Sequence, residues 1–423
     1  MQSTSADPGP DLGIVIIGAG EAGTRAALTL RERGYAGAVT LIGAESHPPY
    51  ERPPLSKAAQ TEAAAPSPVI VASAEALAAQ DITYRPGLHV TGIDRDERRV
   101  SVDRGEALAY SRLLLATGAR PRKLSLPGVE DVPLLYLRTF SDALALRETL
   151  REGCRLIIIG GGFIGLEIAA SARARGCTVS VVEMAPRILG RAVPALVAAR
   201  VADHHRAAGI TLLEGIGLSN IAPGGAAGAA VHLADGRVLE ADSVVVGIGA
   251  IAETALAEAA GLAIENGIRV DGRLATSDPA IFAAGDCCSF PHPVFGGRRL
   301  RLEAWRNAQD QGRHVAGAML GEMADYAAIP WFWSDQLGET LQIAGLPDEG
   351  DETIIRDLDG MPFLFHLKAG RLVGASAFGP LGKVARDIRL AEMLIAAGAS
   401  PDRAALADPV VRLKSFLTDR QAA

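Results

Sequence analysis

Cysteine is scarce in this 423-residue chain, which carries four: Cys154, Cys177, Cys287 and Cys288. No two stand in C-x-x-C spacing, and no Cys/His set has the spacing of a zinc site. That excludes a disulfide-stapled scaffold and removes a redox-active cysteine pair from consideration. Cys287 and Cys288 are adjacent, and a vicinal disulfide would be strained, so they read as two small buried residues. Aromatics are also few, at 4%, which gives each of the three tryptophans more weight. An excess of positive charge is missing: Lys+Arg 42 against Asp+Glu 49 leaves a net charge of −7, which argues against a nucleic-acid binder. A membrane span is missing too. The most apolar stretch, near Leu156–Ala170, is interrupted by glycines and Glu167 and reads as a buried strand, turn and helix. The first ten residues, MQSTSADPGP, have neither a basic start nor an apolar core, so they are not read as a secretory signal. The expected setting is therefore a reducing one, the cytoplasm, with no membrane partner.

What is present is size, periodicity and an internal echo. At about 150 residues per domain the length suggests about three domains. GIVIIGAGEAGTRAALTLRERG begins at Gly13, and RLIIIGGGFIGLEIAASARARG begins at Arg155. Each is an apolar run, then G-x-G-x-x-G, then a helix-like stretch ending in Arg-Gly. Each is followed by a second β-rich run, AVTLIGAE ending at Glu45 and TVSVVE ending at Glu183. This is β–turn–α–β twice, the arrangement of a dinucleotide fold. The first glycine permits the tight turn, the second admits a pyrophosphate close to the backbone, and the third lets helix pack on strand. The helix start then offers unpaired N–H groups and a positive dipole end. Two such sites imply two dinucleotides, and FAD with NAD(P) is the natural pair. SRLLLATGARPR (Ser111–Arg122) and RVLEADSVVVGIGA (Arg237–Ala250) read as buried strands leaving into turns. After Pro330 the pattern becomes short alternating runs such as TLQIAGL and TIIRDL, read as antiparallel strands, with a helix near Val384–Ala397. A boundary falls near residue 329, and PGGAAGAA (Pro223–Ala230) reads as a hairpin turn.

Several further segments are distinctive together: GAGEAG, RPPLSK (Arg52–Lys57), LLATGARPR, LRT (Leu137–Thr139), IGGGFIGLE (Ile159–Glu167), TSDPAIFAAGD (Thr276–Asp286), EAWRNA (Glu303–Ala308) and WFWSDQ (Trp331–Gln336). With these the chain resembles the FAD-dependent ferredoxin reductases of the putidaredoxin-reductase type. The resemblance covers roughly residues 12–418. It implies an α/β fold with two Rossmann-like dinucleotide-binding domains in a glutathione-reductase-like arrangement and a C-terminal α+β domain. Residues 11–123 and 252–328 would form the FAD-binding domain, 124–251 the NAD-binding domain and 329–423 the C-terminal domain.

Site residues follow from the same resemblance. Gly18, Gly20, Ala22 and Gly23 would cradle the FAD pyrophosphate. The usual ribose-binding acid falls at Ala44, a departure that leaves the neighbouring Glu45 for the ribose hydroxyls. Arg52 and Lys57 would lie on the flavin side. Val90, Thr117, Gly118 and Arg138 match further FAD-contacting positions, Asp286 would bond the ribityl chain, and the helix opening at Glu303–Trp305 would aim N–H groups at the flavin carbonyl edge. Gly160, Gly162, Phe163, Ile164, Gly165 and Gly249 would hold NAD, with Glu183 accepting from its ribose. Met184 rather than arginine follows Glu183, which favours NADH. Glu167 sits among apolar helix neighbours, and a buried glutamate needs a partner. The resemblance supplies Lys57, making Lys57 and Glu167 the candidate catalytic residues. No metal site is expected.

The activity this implies is hydride uptake from NADH and single-electron delivery to a 2Fe–2S ferredoxin feeding a haem monooxygenase or Rieske-type ring-hydroxylating dioxygenase. Rubredoxin reductase, NADH oxidase and small-molecule reductase stand as alternatives. For ferredoxin docking the densest basic run is Arg298, Arg299, Arg301, Arg306 and Arg313, with Trp331 and Trp333 as aromatic candidates.

Overall fold

The computed structural model describes residues 12–103, 105–190, 193–225 and 228–418. The opening MQSTSADPGP stretch lies outside the described residues, as does part of the Gly/Ala turn, residues 226–227. The chain forms two compact units. One holds the described residues up to Glu51, Val69–Arg120 and Ala252–Ala328; the other holds Arg52–Pro68, Pro121–Ile251 and the chain from Ile329 onward.

In the first unit five parallel strands lie in the order Ile281–Ala283, Arg112–Leu115, Ile14–Ile17, Val39–Gly43 and Ile82–Pro86. All four residues of Ile14–Ile17 are buried, as expected for a central parallel strand covered on both faces. Helix Glu21–Glu32 packs closely on helix Trp305–Met319. Gly312 makes that approach possible, because a Cβ there would lie 2.5 Å from the Ala22 carbonyl oxygen. Two small three-stranded sheets, one led by Val90–Asp94 and one centred on Cys288–His292, complete the unit.

The second unit repeats the plan. Parallel strands run in the order Thr211–Glu214, Thr178–Glu183, Arg155–Ile159, Ser243–Val246 and Leu134–Leu135. An antiparallel trio, Leu218–Pro223, Ala229–Leu233 and Val238–Ala241, flanks them, and the Gly/Ala segment connects its first two members. The C-terminal strands pair antiparallel, as their alternation suggests, in the order Trp331–Gln336, Glu339–Gly345, Arg371–Gly379, Pro362–Lys368 and Glu352–Asp357. Helix Leu381–Ala396 covers this sheet with Val384, Ile388, Ala391 and Ile395, spaced at the helical period. Leu341, Ile343, Leu364 and Phe378 from the sheet share one core cluster with Leu166, Val197 and Val201. Each such side chain contributes roughly 1.5–3 kcal/mol on burial. That shared core is why the C-terminal sheet and the second nucleotide fold form one unit.

Candidate functional site

The two glycine loops show the same division of labour. Gly18 sits at φ +110°, where a Cβ would lie 2.1 Å from the Ala116 carbonyl oxygen. Gly160 sits at φ +107°, where a Cβ would lie 2.4 Å from that of Gly247. The third glycines are equally constrained: a Cβ on Gly23 would meet the Gly18 oxygen at 1.9 Å, and one on Gly165 the Gly160 oxygen at 2.2 Å. The middle glycines differ. Gly20 and Gly162 have ordinary φ values of −79° and −83°, and each precedes a helix with no side-chain cap. A Cβ on Gly20 would meet nothing within 4 Å, and one on Gly162 only the Gly247 oxygen at 3.9 Å. Nothing in the protein requires glycine at these two positions. A phosphate group lying against the backbone and the bare helix start does require it. The loops therefore fit a dinucleotide each.

The remaining candidates of the first unit stand on other strands, turns and helix ends. Ala22 is buried, against the turn at Gly285. Ala44 is exposed, and Glu45 beside it is half-buried, its Oε2 accepting the Tyr50 hydroxyl at 2.6 Å. Tyr50 thus orients the acid that stands one place beyond the usual position. Val90 opens its strand, Thr117 donates its hydroxyl to the Glu253 carbonyl at 2.6 Å, and Gly118 takes φ +73°. Asp286 is half-buried just past Ile281–Ala283. Helix Trp305–Met319 begins where the EAWRNA segment suggests, and its N-cap Ala304 supplies no side-chain acceptor. Glu303 is exposed and paired with Arg301 at 2.5 Å.

In the second unit Glu183 ends its strand, as expected. Its carboxylate braces the loop: Oε2 accepts from Gly161 N–H at 2.8 Å and Oε1 from Ala185 N–H at 2.7 Å. Met184 next to it is 78% exposed. Phe163, first in its helix, meets Phe332 edge-on at 4.6 Å, while Ile164 is exposed and Gly249 is exposed at φ +106°.

The ion pair that the sequence suggests is present. Lys57 Nζ lies 2.8 Å from Glu167 Oε2. Glu167 is 4% exposed, so its charge must be met by donors. Two of them escaped sequence reasoning. The Ser56 hydroxyl donates to Oε2, and the Ser334 hydroxyl donates to Oε1 at 2.5 Å. Both serines stand inside the RPPLSK and WFWSDQ segments, but a hydroxyl donor has no spacing signature; the only available signal was a buried glutamate short of donors. Arg52, from the same excursion, donates to the Arg138 carbonyl. Trp331 and Trp333 stack at 5.2 Å, and Trp333 Nε1 donates to Asp335 at 3.0 Å.

The four cysteines are free and buried. Burial pushes the Cys177 thiol up to about 11 and raises those of Cys287 and Cys288, so none is poised as a thiolate nucleophile. Among the described residues no group of three His, Cys, Asp or Glu side chains could hold a metal ion, and no helix is long and apolar enough to cross a membrane.

Comparison with known proteins agrees with this geometry. The family profile "Pyridine nucleotide-disulphide oxidoreductase" matches residues 12–312. The chain belongs to that family. A second profile, "Reductase C-terminal", matches residues 331–417. The ferredoxin–NAD(+) reductase component of the anthranilate 1,2-dioxygenase system of Burkholderia cepacia is 43% identical over 98% of this chain and 100% of its own. A rubredoxin–NAD(+) reductase of Pseudomonas putida is 38% identical over 81% of this chain and 89% of its own. Among solved structures, the covalent putidaredoxin reductase–putidaredoxin complex matches with a TM-score of 0.90 at 35% identity, over 97% of this chain and 99% of that one.

Proposed function

We propose that this chain is an FAD-dependent reductase that oxidises NADH and delivers electrons to a 2Fe–2S ferredoxin serving a haem monooxygenase or a Rieske-type dioxygenase. The carrying observation is the pair of middle glycines, Gly20 and Gly162, each open where a Cβ would project and each at a bare helix start. Two such loops in one chain call for two dinucleotides. When bound, FAD supplies the change from a two-electron donor to a one-electron acceptor.

The chain's own residues supply binding and orientation. The Gly18–Gly23 loop takes the FAD pyrophosphate, Glu45 held by Tyr50 takes ribose hydroxyls, and Asp286 takes the ribityl chain. The uncapped start of helix Trp305–Met319 offers N–H groups to a carbonyl edge that gains charge. The Gly160–Gly165 loop and Glu183 take NADH. Glu167, surrounded by donors, holds the Lys57 ammonium in one place during reduction by NADH. Thiols take no part, despite the family's name, because all four are buried and none is paired in a C-x-x-C. Four free thiols also support a reducing compartment, the cytoplasm.

The rubredoxin–NAD(+) reductase relative keeps a mononuclear-iron acceptor as the second reading. The purified holoenzyme, given NADH and a panel of 2Fe–2S ferredoxins and a rubredoxin, separates the two by the visible spectrum of each acceptor. Rapid ferredoxin reduction is expected; exclusive rubredoxin reduction, or electron loss to oxygen alone, would overturn the ferredoxin assignment.

A further inference from the structure

We infer that Ser334 and Ser56 are positioning residues that aim Glu167, and through it Lys57. The inference rests on the reading of Lys57 and Glu167 as the working ion pair.

Glu167 is carried on helix Phe163–Ala174 between Leu166 and Ile168, both fully buried. Its carboxylate can only accept hydrogen bonds. Oε2 takes Lys57 Nζ and the Ser56 hydroxyl, and Oε1 takes the Ser334 hydroxyl. Ser334 is itself fully buried. Because its proton goes to the carboxylate, its oxygen is left as an acceptor, and Gln336 Nε2 fills that role at 3.0 Å. Gln336 thus fixes the direction of the Ser334 proton.

The other serine is fixed by the same helix. Ser171 lies four residues after Glu167, on the same helix face. Its hydroxyl donates to the Ser56 carbonyl oxygen at 2.7 Å. Ser56 is therefore gripped at its hydroxyl by Glu167 and at its carbonyl by Ser171, immediately before Lys57 in the chain. On strand Trp331–Gln336 the alternate residues Phe332, Ser334 and Gln336 share one face, and Phe332 packs on Phe163 at the helix start. Strand and helix are thus keyed together by one ring contact and one charged hydrogen bond.

Of these groups Lys57 is the least enclosed, with 24% of its side chain exposed against 5% for Glu167. If Glu167 loses a donor, the buried carboxylate turns toward what remains, and Lys57 moves with it. The effect belongs to the chemical step rather than to NADH binding.

The test measures NADH-driven flavin reduction by stopped flow in Ser334→Ala, Ser334→Thr, Glu167→Gln and the double variant Ser334→Ala/Glu167→Gln, all as holoenzyme. A hydrogen bond to a buried charge implies a loss of roughly tenfold or more in rate for Ser334→Ala, with KM for NADH within about twofold. Ser334→Thr keeps the hydroxyl and should recover most of the rate. The double variant should be no slower than Glu167→Gln alone, because Ser334 acts through that carboxylate. Independently of turnover, Ser334→Ala should lower Tm less in the Glu167→Gln background than in the wild type. If Ser334→Ala fails to fold, Ser56→Ala carries the same expectations. A slow Glu167→Gln beside an unaffected Ser334→Ala overturns the positioning role and leaves the ion-pair reading standing. Wild-type rates in both overturn the two together, and additive losses in the double variant show that Ser334 does not work through Glu167.

Discussion

Glu183 serves the protein before it serves any ligand. Its two oxygens already accept from Gly161 and Ala185, yet each keeps a further lone pair for a ribose hydroxyl. In the proposed role its charge would repel a 2′-phosphate, and the exposed Met184 beside it offers no cation in compensation. NADH should therefore exceed NADPH in kcat/KM by about 100-fold, a difference of about 3 kcal/mol. Glu183→Ala should shrink that ratio at least tenfold and, by stripping two N–H groups of their acceptor, lower Tm by a few degrees. Equal kcat/KM for the two cofactors in the wild type would refute the role. At this scale the sequence was informative where chemistry has a spacing. The two glycine sets and Glu183 were readable because each is tied to a strand end or a helix turn; for Glu167 the residues showed only the need of a partner, and the family resemblance supplied Lys57. Ser56, Ser334 and Tyr50 were not, because a single hydroxyl donor has no pattern, whether its partner is five residues away, as Glu45 is from Tyr50, or more than a hundred, as Glu167 is from Ser56 and Ser334.

The glycine loops are elements in which three residues of one type do three different jobs, and substitution separates them. Gly20→Ala meets no atom of the protein and keeps an ordinary backbone angle, so the fold should survive with a stability change within about 0.5 kcal/mol. FAD retention should drop at least tenfold, read from the flavin absorbance per chain after gel filtration. Gly162→Ala should keep its flavin and lose NADH affinity instead, read as a raised KM or Kd. Gly18→Ala, at φ +110° and 2.1 Å from a carbonyl oxygen, should fail to accumulate as folded protein. A Gly20→Ala protein that keeps full FAD content would show that the opening is not a phosphate seat. The same contrast explains what was legible among the elements. The repeated β–turn–α–β and the antiparallel C-terminal strands carry their own periodicity, so their type could be read directly, while the order of strands within each sheet could not. The excursion Arg52–Pro68 could not be placed that way. Its place in the second unit is set by Leu55, buried there, and by Gln60, whose side-chain amide reaches the Ala143 carbonyl at 3.0 Å.

Two properties belong to the molecule as a whole, its acid stability and its charge. His366 is buried in the C-terminal sheet between the Thr353 and Ser376 hydroxyls, and burial pulls its pKa from 6.5 to about 4. The unfolded chain therefore binds this proton below pH 6.5 while the folded chain waits until about pH 4. Stability is unaffected above that window and falls as pH falls through it, by at most about 3 kcal/mol. Burial lowers His205, His292 and His314 too, so the trend is shared. The urea midpoint of His366→Gln should fall less between pH 7 and pH 5 than that of the wild type, and an identical fall would remove His366 as a cause.

The charge argument changes more. The family resemblance implies an acidic ferredoxin, and an overall charge of −7 then leaves attraction to a local patch, because salt screens beyond about 8–10 Å. Counted along the sequence, the run Arg298–Arg313 offers five guanidiniums. In the fold Arg299 pairs with Glu265, Arg301 with Glu303, and both Arg306 and Arg313 with Asp310. At least three carboxylates thus sit among the five arginines, and the field is weaker than the sequence suggests. Arg299 is further committed to the backbone carbonyls of Val270 and Ser289. Arg313 is the more available charge on helix Trp305–Met319, with 47% of its side chain exposed against 32% for Arg306. A patch of this size speeds association rather than deciding affinity. Arg313→Glu should therefore lower kcat/KM for ferredoxin only about twofold to fivefold at low salt, and should flatten its salt dependence. Ferricyanide reduction, which needs no docking, should be unchanged. Should ferredoxin turnover keep both its rate and its salt slope, the helix face carrying Arg313 is not where the ferredoxin arrives.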